Sequence, residues 1–185
     1  MISIKRLMGA VITLLVWAVP VHAESSVWET FDDNAQDRWE FITDGVMGGV
    51  SEGGAVIGLI DGDTGVHLTG QVSTKNNGGF IQVRRMLPDG LPDDTNGLEL
   101  EVRGNAQPYY VFIRTADMTR PWHYYNAVFE AGTTWQNILV PLDAFERSHA
   151  HLNDAIAPGE VISIGLFAYG QDYEANLMVR KISLF

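Results

Sequence analysis

The sequence contains no cysteine among its 185 residues. This absence excludes disulfides, thiolate metal sites and a thiol nucleophile. It also excludes a membrane anchor built on a lipid-modified N-terminal cysteine. A compact fold must therefore depend on noncovalent packing alone, and a chain of this length can bury enough surface for that.

Basic residues are scarce, with 12 Lys and Arg against 23 Asp and Glu, and the formal net charge is −11 at pH 7. A field of that sign repels phosphate backbones and anionic lipid surfaces. The composition therefore argues against a nucleic-acid partner. It predicts a solvated acidic surface, which would also attract cationic partners.

Long apolar runs are missing apart from one near the N-terminus. Two basic residues precede an uncharged run at 7–19, which a proline and the small residue Ala23 follow. This layout is typical of a secretory signal peptide, and the run is shorter than the roughly 20 residues of a membrane span. We expect a signal peptide at 1–23, one domain at 24–185 with no membrane span, and a periplasmic or secreted mature protein. An uncleaved N-terminal anchor is the alternative.

The rest of the sequence has the period of β-strands rather than of helices. Leucine and valine alternate with charged residues in 98–103, and Ile162, Ile164 and Leu166 repeat the pattern. Turns rich in Gly and Asn separate the candidate strands. The pattern predicts an all-β sandwich of two antiparallel sheets, with only 142–149 as a short helix or turn. The candidate strands are 55–60, 65–71, 80–85, 98–103, 109–115, 123–130, 135–141, 161–169 and 177–184.

The stretch DGVMGGVS at 44–51 carries three glycines within five positions. Such spacing indicates a tight backbone path, with positive φ or close packing at Gly45, Gly48 and Gly49. Asp44 is expected to accept hydrogen bonds from the amides of this loop. The glycines do not have the spacing of a dinucleotide or phosphate loop, so we expect a structural loop and no cofactor.

Several motifs together resemble the NADH:ubiquinone oxidoreductase complex I intermediate-associated protein family. The resemblance implies a galactose-binding-like jelly-roll sandwich, and it implies an assembly-factor or chaperone-like role, which in eukaryotic members concerns respiratory complex I. The secretory signal would make this chain an exported bacterial member with a partner in the cell envelope. The matching segments are DGVMGGVS at 44–51, NNGGF with a following arginine at 76–84, LELEVRG at 98–104, YYVFIR at 109–114 and W-x-x-x-x-VPL-x-x-F at 135–145.

Three arginines near strand ends are candidates for a polar ligand groove on one sheet face. Guanidinium groups donate in a fixed fork that suits carboxylates and sugar hydroxyls, and neighbouring aromatic rings would stack on a sugar or a peptide. The alternative is that the arginines pair with acidic residues such as Asp44, Glu99 or Glu101 and tie loops to the sheet. The candidate groove comprises Arg84, Arg103, Arg114, Asn77, Trp122 and Tyr125.

Catalytic motifs are absent from the sequence. Ser51 has no local base and no nucleophile elbow surrounds it. The pair His149-x-His151 lies in a polar segment typical of an exposed loop, so we expect no metal site.

These observations favour a non-catalytic binding protein with a chaperone-like or assembly-factor role on an envelope protein. A carbohydrate-binding module is the alternative, and an enzyme with an unrecognised site is the least favoured class. A groove lined by the arginines and aromatic rings would favour a small ligand. A flat apolar patch of several hundred Å² would favour a protein partner.

Overall fold

The computed structural model describes residues 25–60 and 62–185. The signal peptide expected at 1–23 lies outside these residues. Within them, no helix has the length and apolar character needed to cross a membrane.

Strands form two antiparallel six-stranded sheets, which confirms the predicted all-β sandwich. Sheet A has the order β3-β4-β12-β6-β9, with β1 paired to β12, and sheet B has the order β10-β8-β7-β11-β5-β2. The strands in the described residues are β1 (Ser26–Glu29), β2 (Trp39–Thr43), β3 (Glu52–Ile60), β4 (Asp63–Val72), β5 (Phe80–Met86), β6 (Gly97–Arg103), β7 (Gln107–Thr115), β8 (Tyr125–Ala131), β9 (Gln136–Pro141), β10 (Glu146–Arg147), β11 (Val161–Tyr169) and β12 (Tyr173–Leu184). Single 3₁₀ turns are found at Ala35–Asp37, Asp44–Met47, Lys75–Asn77, Leu142–Ala144 and Pro158–Glu160.

Each of the nine strands expected from the sequence overlaps a strand of the structure. The sequence did not predict β1, β2 or β10, which are short or lie at sheet edges. The segment 142–149 was expected to be a helix or turn. It contains one 3₁₀ turn, and the two-residue strand β10 follows. Short edge strands are weakly patterned because only one neighbour and few core contacts constrain them.

The core lies between the sheets and follows the alternation of the strands. The leucines and valine of β6 are fully buried, while its charged residues are half-buried. In β11 a register shift between Val161 and Ser163 interrupts the alternation. As a result Val161 is buried in the core with Ile164 and Leu166, and Ile162 is only half-buried. The expectation that Ile162 shares the core face was wrong, because a β-bulge inserts one residue and changes which face follows.

One buried carboxylate joins two loops at one end of the sandwich. Asp44 is fully buried. Its Oδ1 accepts a hydrogen bond from the Ser51 amide at 2.9 Å. Its Oδ2 accepts from the Ser51 hydroxyl at 2.5 Å and from the amides of Gly79 and Phe80 at 2.6 and 3.2 Å. The carboxylate therefore ties the loop between β2 and β3 to the turn that begins β5.

Glycines surround Asp44 because larger residues would overlap its side chain. A Cβ on Gly49 would lie 2.2 Å from the Asp44 Cγ, and a Cβ on Gly78 would lie 2.4 Å from Oδ2. Gly48 has a different role, since its φ of +89° ends the 3₁₀ turn in the left-handed region. The two glycine-rich motifs of the sequence are thus two halves of one hydrogen-bonded junction.

The same hydrogen bonds set the charge state of Asp44. Burial by itself would raise the pKa of this carboxyl group. The hydrogen bonds from Ser51, Gly79 and Phe80 outweigh burial and hold the pKa below its ordinary value. Asp44 is therefore a charged acceptor in a buried site, and its interactions with the loop amides are of the stronger, charge-assisted kind.

We predict that Asp44→Asn lowers the free energy of unfolding by about 3 kcal/mol at pH 7, because an amide leaves buried donors unsatisfied. Since the folded state depresses the pKa of Asp44, its stabilising effect is complete above the ordinary value of 3.8 and disappears as the pH falls through the lower folded-state pKa. The difference between variant and wild type, measured by urea unfolding, should therefore narrow in acid. Asp143→Asn, at an exposed aspartate, is the control and should change little. An equal loss for both variants would contradict the role of Asp44.

We predict that Gly48→Val lowers the free energy of unfolding by about 1–2 kcal/mol, because a side chain is strained in the left-handed region. Gly54→Val is a matched control. Neither position has an atom within 4 Å of an added Cβ, but only Gly48 has a positive φ. In thermal unfolding Gly54→Val should retain or exceed the wild-type midpoint. A Gly48→Val variant of unchanged stability would rule out this loop geometry.

Candidate ligand groove on sheet B

The outer face of sheet B carries a groove of about 440 Å³. Its floor comes from the outward-facing residues of three adjacent strands, β5, β11 and β7. Gly165 of the central strand β11 pairs with Arg84 on the β5 side and with Phe112 on the β7 side. The lining residues on these strands are Phe80, Gln82, Arg84, Phe112, Arg114, Ser163, Gly165, Phe167 and Tyr169.

Aromatic rings form a stacked row across the groove. Phe112 lies between Tyr124 and Phe167, with ring centroids at 4.4 and 4.0 Å. The Tyr124 and Tyr169 hydroxyl oxygens are 3.2 Å apart. Burial, followed by the Tyr169 hydroxyl, raises the pKa of Tyr124. Because the rings cover one another's faces, the row presents mainly ring edges and neutral hydroxyl groups to a ligand.

Loops from opposite ends of sheet B form the rim of the groove. At one end, Val46 and Met47 project from the loop that Asp44 holds, and they are 77% and 60% exposed. Asn77 also lines the groove at this end. At the other end Trp122 precedes β8 and is 52% exposed, so the indole ring remains accessible.

Arg114 anchors the loop that carries Trp122. Its Nε donates to the His123 carbonyl at 3.1 Å, and its Nη2 donates to the carbonyls of Met118 and Arg120 at 3.2 and 3.0 Å. Among the described residues, no carboxylate forms a salt bridge with Arg114. Burial, followed by the nearby charge of Arg84, lowers the pKa of Arg114. The sequence left open that the arginines pair with acidic residues and tie loops to the sheet. Arg114 does tie a loop to the sheet, but it does so through backbone carbonyls.

Arg84 has one acidic partner, at the edge of the groove. Its Nη2 lies 3.2 Å from Oε2 of Glu40, whose side chain is 67% exposed. Within 25–60 and 62–185, the Nε of Arg84 is buried and has no hydrogen-bond partner. The Oε1 of Gln82 is also buried without a partner among these residues. The groove therefore contains an unused donor and an unused acceptor side by side on β5.

A family model establishes the family membership that the sequence motifs suggested. The model for complex I intermediate-associated protein 30 matches residues 28–178. The chain belongs to this family. No curated protein matches the chain at a significant level.

Solved structures show that the family fold is shared with carbohydrate-binding modules. The family 11 module of a cellulosomal cellulase of Clostridium thermocellum aligns with a TM-score of 0.71 and 13% identity, over 89% of this chain and 95% of that one. The module from Clostridium thermocellum in complex with a β-1,3-1,4-mixed-linked tetrasaccharide aligns with a TM-score of 0.70 and 15% identity, over 87% and 95% of the two chains. An exo-β-agarase aligns with a TM-score of 0.59 and 8% identity, over 88% of this chain and 25% of the agarase. At these identities the likeness establishes the jelly-roll fold alone.

Two residues that the sequence assigned to the groove lie elsewhere in this family member. Arg103 is on β6 of sheet A, where its Nη2 lies 2.8 Å from Met178 Sδ and its guanidinium lies 5.2 Å from the Trp135 ring. The expectation that it shares a sheet face with Arg84 and Arg114 was wrong. The reason is that the chain crosses between the sheets at 104–106, so that β6 and β7 are neighbours in sequence but not in space.

Tyr125 is the second correction. It is 1% exposed, and its hydroxyl donates to the Asn153 carbonyl at 3.0 Å. Tyr125 is the first residue of β8 and shares the core-facing parity of Ala127 and Phe129. The neighbouring Tyr124 lines the groove instead, because a shift of one residue reverses the face of a strand residue. Arg84, Arg114, Asn77 and Trp122 do line the groove together.

Sequence reasoning missed Gln82 and most of the aromatic floor. The sequence did contain a signal for this aromatic floor, because Phe112 and Phe167 lie on the faces of β7 and β11 opposite to the buried aliphatic residues. Aromatic residues on both faces of a strand indicate a second apolar layer outside the core. The missing information was which strands are neighbours in the sheet.

A second depression lies beside β2, and two of the arginines that line it, Arg38 and Arg85, are paired with one buried carboxylate. It encloses about 710 Å³ beside β2 and the end of β5. The buried carboxylate of Glu29 lies 2.9 Å from Arg38 and 2.6 Å from Arg85, and it also accepts from the Trp39 indole at 3.0 Å. Arg38 and Arg85 are therefore engaged within the protein rather than free for a ligand, and Asp37 and Asp89 also line this depression.

Ser51 and the histidines do not form a catalytic arrangement. The Ser51 hydroxyl donates to Asp44 and accepts from the Ser73 amide at 3.0 Å. The ring of His123 lies 5.0 Å from that of His149 and 4.7 Å from that of His151. Within 25–60 and 62–185, no three His, Cys, Asp or Glu side chains have a geometry that could hold a metal ion.

Proposed function

We propose that this protein is a non-catalytic binding module of the cell envelope that holds a carbohydrate chain in the groove on sheet B. The observation that carries this proposal is the groove itself, in which apolar rings surround a few polar side chains with unused hydrogen-bonding atoms. Sites for small ligands have this composition, in which apolar walls exclude water and few polar groups fix orientation. The N-terminal sequence pattern supports export to the envelope.

The distribution of exposed apolar residues favours a groove ligand over a flat protein interface. Val56 and Leu59 are exposed on β3, whereas Leu139 is exposed on β9. β3 and β9 are the two edges of sheet A, so these residues do not form one patch. The groove on sheet B, in contrast, combines rings, arginines and an amide within one concave surface.

Trp122 is the ring best placed to stack on a sugar. It is half exposed, whereas both faces of Phe112 are covered by neighbouring rings. An indole face packs against the apolar C–H face of a pyranose, and burial of such area is favourable. The similar solved structures are carbohydrate-binding modules by their own descriptions, which is in keeping with the proposal.

We predict that Trp122→Ala weakens saccharide binding about tenfold to a hundredfold, because the stacked area is lost. The thermal midpoint should change little, since half of the side chain is already exposed. The measurement is affinity electrophoresis in native gels that contain mixed-linkage β-glucan, xylan or polygalacturonate. Arg103→Ala is the control, because this residue lies on the other sheet and should leave binding intact. Loss of binding in Arg103→Ala, with Trp122→Ala unaffected, would contradict the proposed site.

An assembly-factor role on an envelope protein is the second candidate, and two observations favour it. The family is described by its association with complex I intermediates. In addition, Val46 and Met47 are strongly exposed on a loop that Asp44 fixes in place. Large apolar side chains on a rigid, exposed loop are suited to contact with a protein partner.

We predict for this second role that the double change Val46→Ser and Met47→Ser abolishes capture of the partner in crosslinking from the native envelope fraction. Trp122→Ala should keep that partner, because the two loops lie at opposite ends of sheet B. Mass spectrometry of the crosslinked species is the readout. Capture of the same protein by the double variant and the wild type would count against the assembly-factor role.

A further inference from the structure

The charge of the groove is opposite to that of the whole chain. The protein has 23 acidic and 12 basic side chains. The described residues that line the groove nevertheless include two arginines, Arg84 and Arg114, and no aspartate or glutamate. A local positive site on an acidic protein is therefore built into this surface.

The two arginines flank one strand from its two sides. Arg84 of β5 lies opposite Gly165 of β11, and Arg114 of β7 lies opposite Ser163 of the same strand. Gly165 makes room between them for the Phe167 ring and the Gln82 amide, because a Cβ there would lie 2.5 Å from the Phe167 ring and 3.1 Å from Gln82 Oε1. Two like charges that are half-buried in one groove repel each other, and an anion between them would remove that repulsion.

Within the described part of the chain, this pair has one acidic partner, at the edge of the groove. Arg114 donates to three backbone carbonyls, and no carboxylate of the described residues forms a salt bridge with it. The only acidic group on Arg84 among those residues is Glu40, which is 67% exposed and therefore strongly screened by water. A ligand carboxylate that enters the groove can displace this weak contact.

The unused atoms define the chemistry of the ligand more closely. Gln82 is 6% exposed and its Oε1 requires a donor, while the buried Arg84 Nε requires an acceptor. A sugar hydroxyl supplies the donor, and a carboxylate oxygen supplies the acceptor. A saccharide that carries a carboxylate presents both groups within one residue.

We infer that the groove selects acidic saccharides, namely chains of uronic acids, with Arg84 and Arg114 on the carboxylate and Gln82 on a neighbouring hydroxyl. This inference rests on the proposed carbohydrate-binding function and adds the substrate class. Arg114 has a double role, since it also holds the loop of Trp122. Arg84 is therefore the better position at which to test the charge, because its contacts within the protein are few.

The experiment compares matched ligands by isothermal titration calorimetry at low salt. The probes are oligogalacturonate and oligomannuronate, each with its methyl ester, which keeps the sugar chain and removes the charge, and polyglutamate as an acidic peptide. We expect at least one uronate to bind about tenfold more tightly than its own ester, and added salt should reduce that preference. Arg84→Gln should abolish the preference while weak binding of both forms remains. Glu40→Gln, which frees Arg84, should increase it.

The outcomes separate the charge inference from the proposed function. Equal affinity of a uronate and its ester would overturn the charge inference and leave carbohydrate binding in place. If no saccharide binds but polyglutamate does, the groove recognises an acidic peptide, and both the saccharide function and the inference fall. If no probe binds, the charge inference falls, and the proposed carbohydrate-binding function falls with it only if mixed-linkage β-glucan and xylan also fail to retard the protein in affinity electrophoresis. An Arg84→Gln variant that folds with the wild-type thermal midpoint and keeps the full preference would also overturn the inference.

Discussion

The buried carboxylate of Asp44 is the interaction on which the shape of the groove on sheet B depends. It accepts four hydrogen bonds from two segments that are separated by the whole β3–β4 hairpin. Because both segments border the groove, this junction fixes one end of the rim. The close approach of Gly49 and Gly78 to the carboxylate explains why one glycine of each pair, 48–49 and 78–79, is needed at this junction.

The two outer faces of the sandwich differ in how their charges are compensated. On the outer face of sheet A, Glu101 forms salt bridges with Arg180 and with Lys181, and Arg103 lies against Met178 and the Trp135 ring. On sheet B the charged groups of the groove are two arginines and the floor is aromatic. Uncompensated charge and unused hydrogen-bonding atoms are costly in a surface without a ligand. Their concentration on one face is the reason to place the function there.

The sequence predicted the sheets better than it predicted their outer faces. Alternation in segments such as 98–103 identifies a strand because one face must be buried, and this physical requirement leaves a period of two. The loop at 44–51 was recognisable as structural from its glycines and Asp44. The contact of Asp44 with the turn at 76–80 was not predicted, since local sequence does not encode which distant amides a carboxylate will meet.

The sequence predictions were wrong where the position of a residue depends on which distant strands pair, or on a shift of one residue in strand register. Arg103 and Arg114 look equivalent in sequence, yet a sheet crossover separates them. Tyr124 and Tyr125 are adjacent, and the point at which β8 begins decides which one faces the groove. The β-bulge at 161–163 likewise shifts the register of β11 by one residue, so that Val161 rather than Ile162 faces the core. Gln82 was missed because its role in the groove depends on the neighbouring Gly165, which belongs to a strand far along the chain.

The most direct test of the binding face is amide chemical-shift mapping of the isotope-labelled protein during titration with the uronate or neutral oligosaccharide of highest affinity. The account predicts that the shifted amides cluster in β5, β7 and β11 and in the two rim loops at 44–49 and 118–124. Shifts concentrated on the outer face of sheet A, with β5, β7 and β11 unchanged, would contradict it.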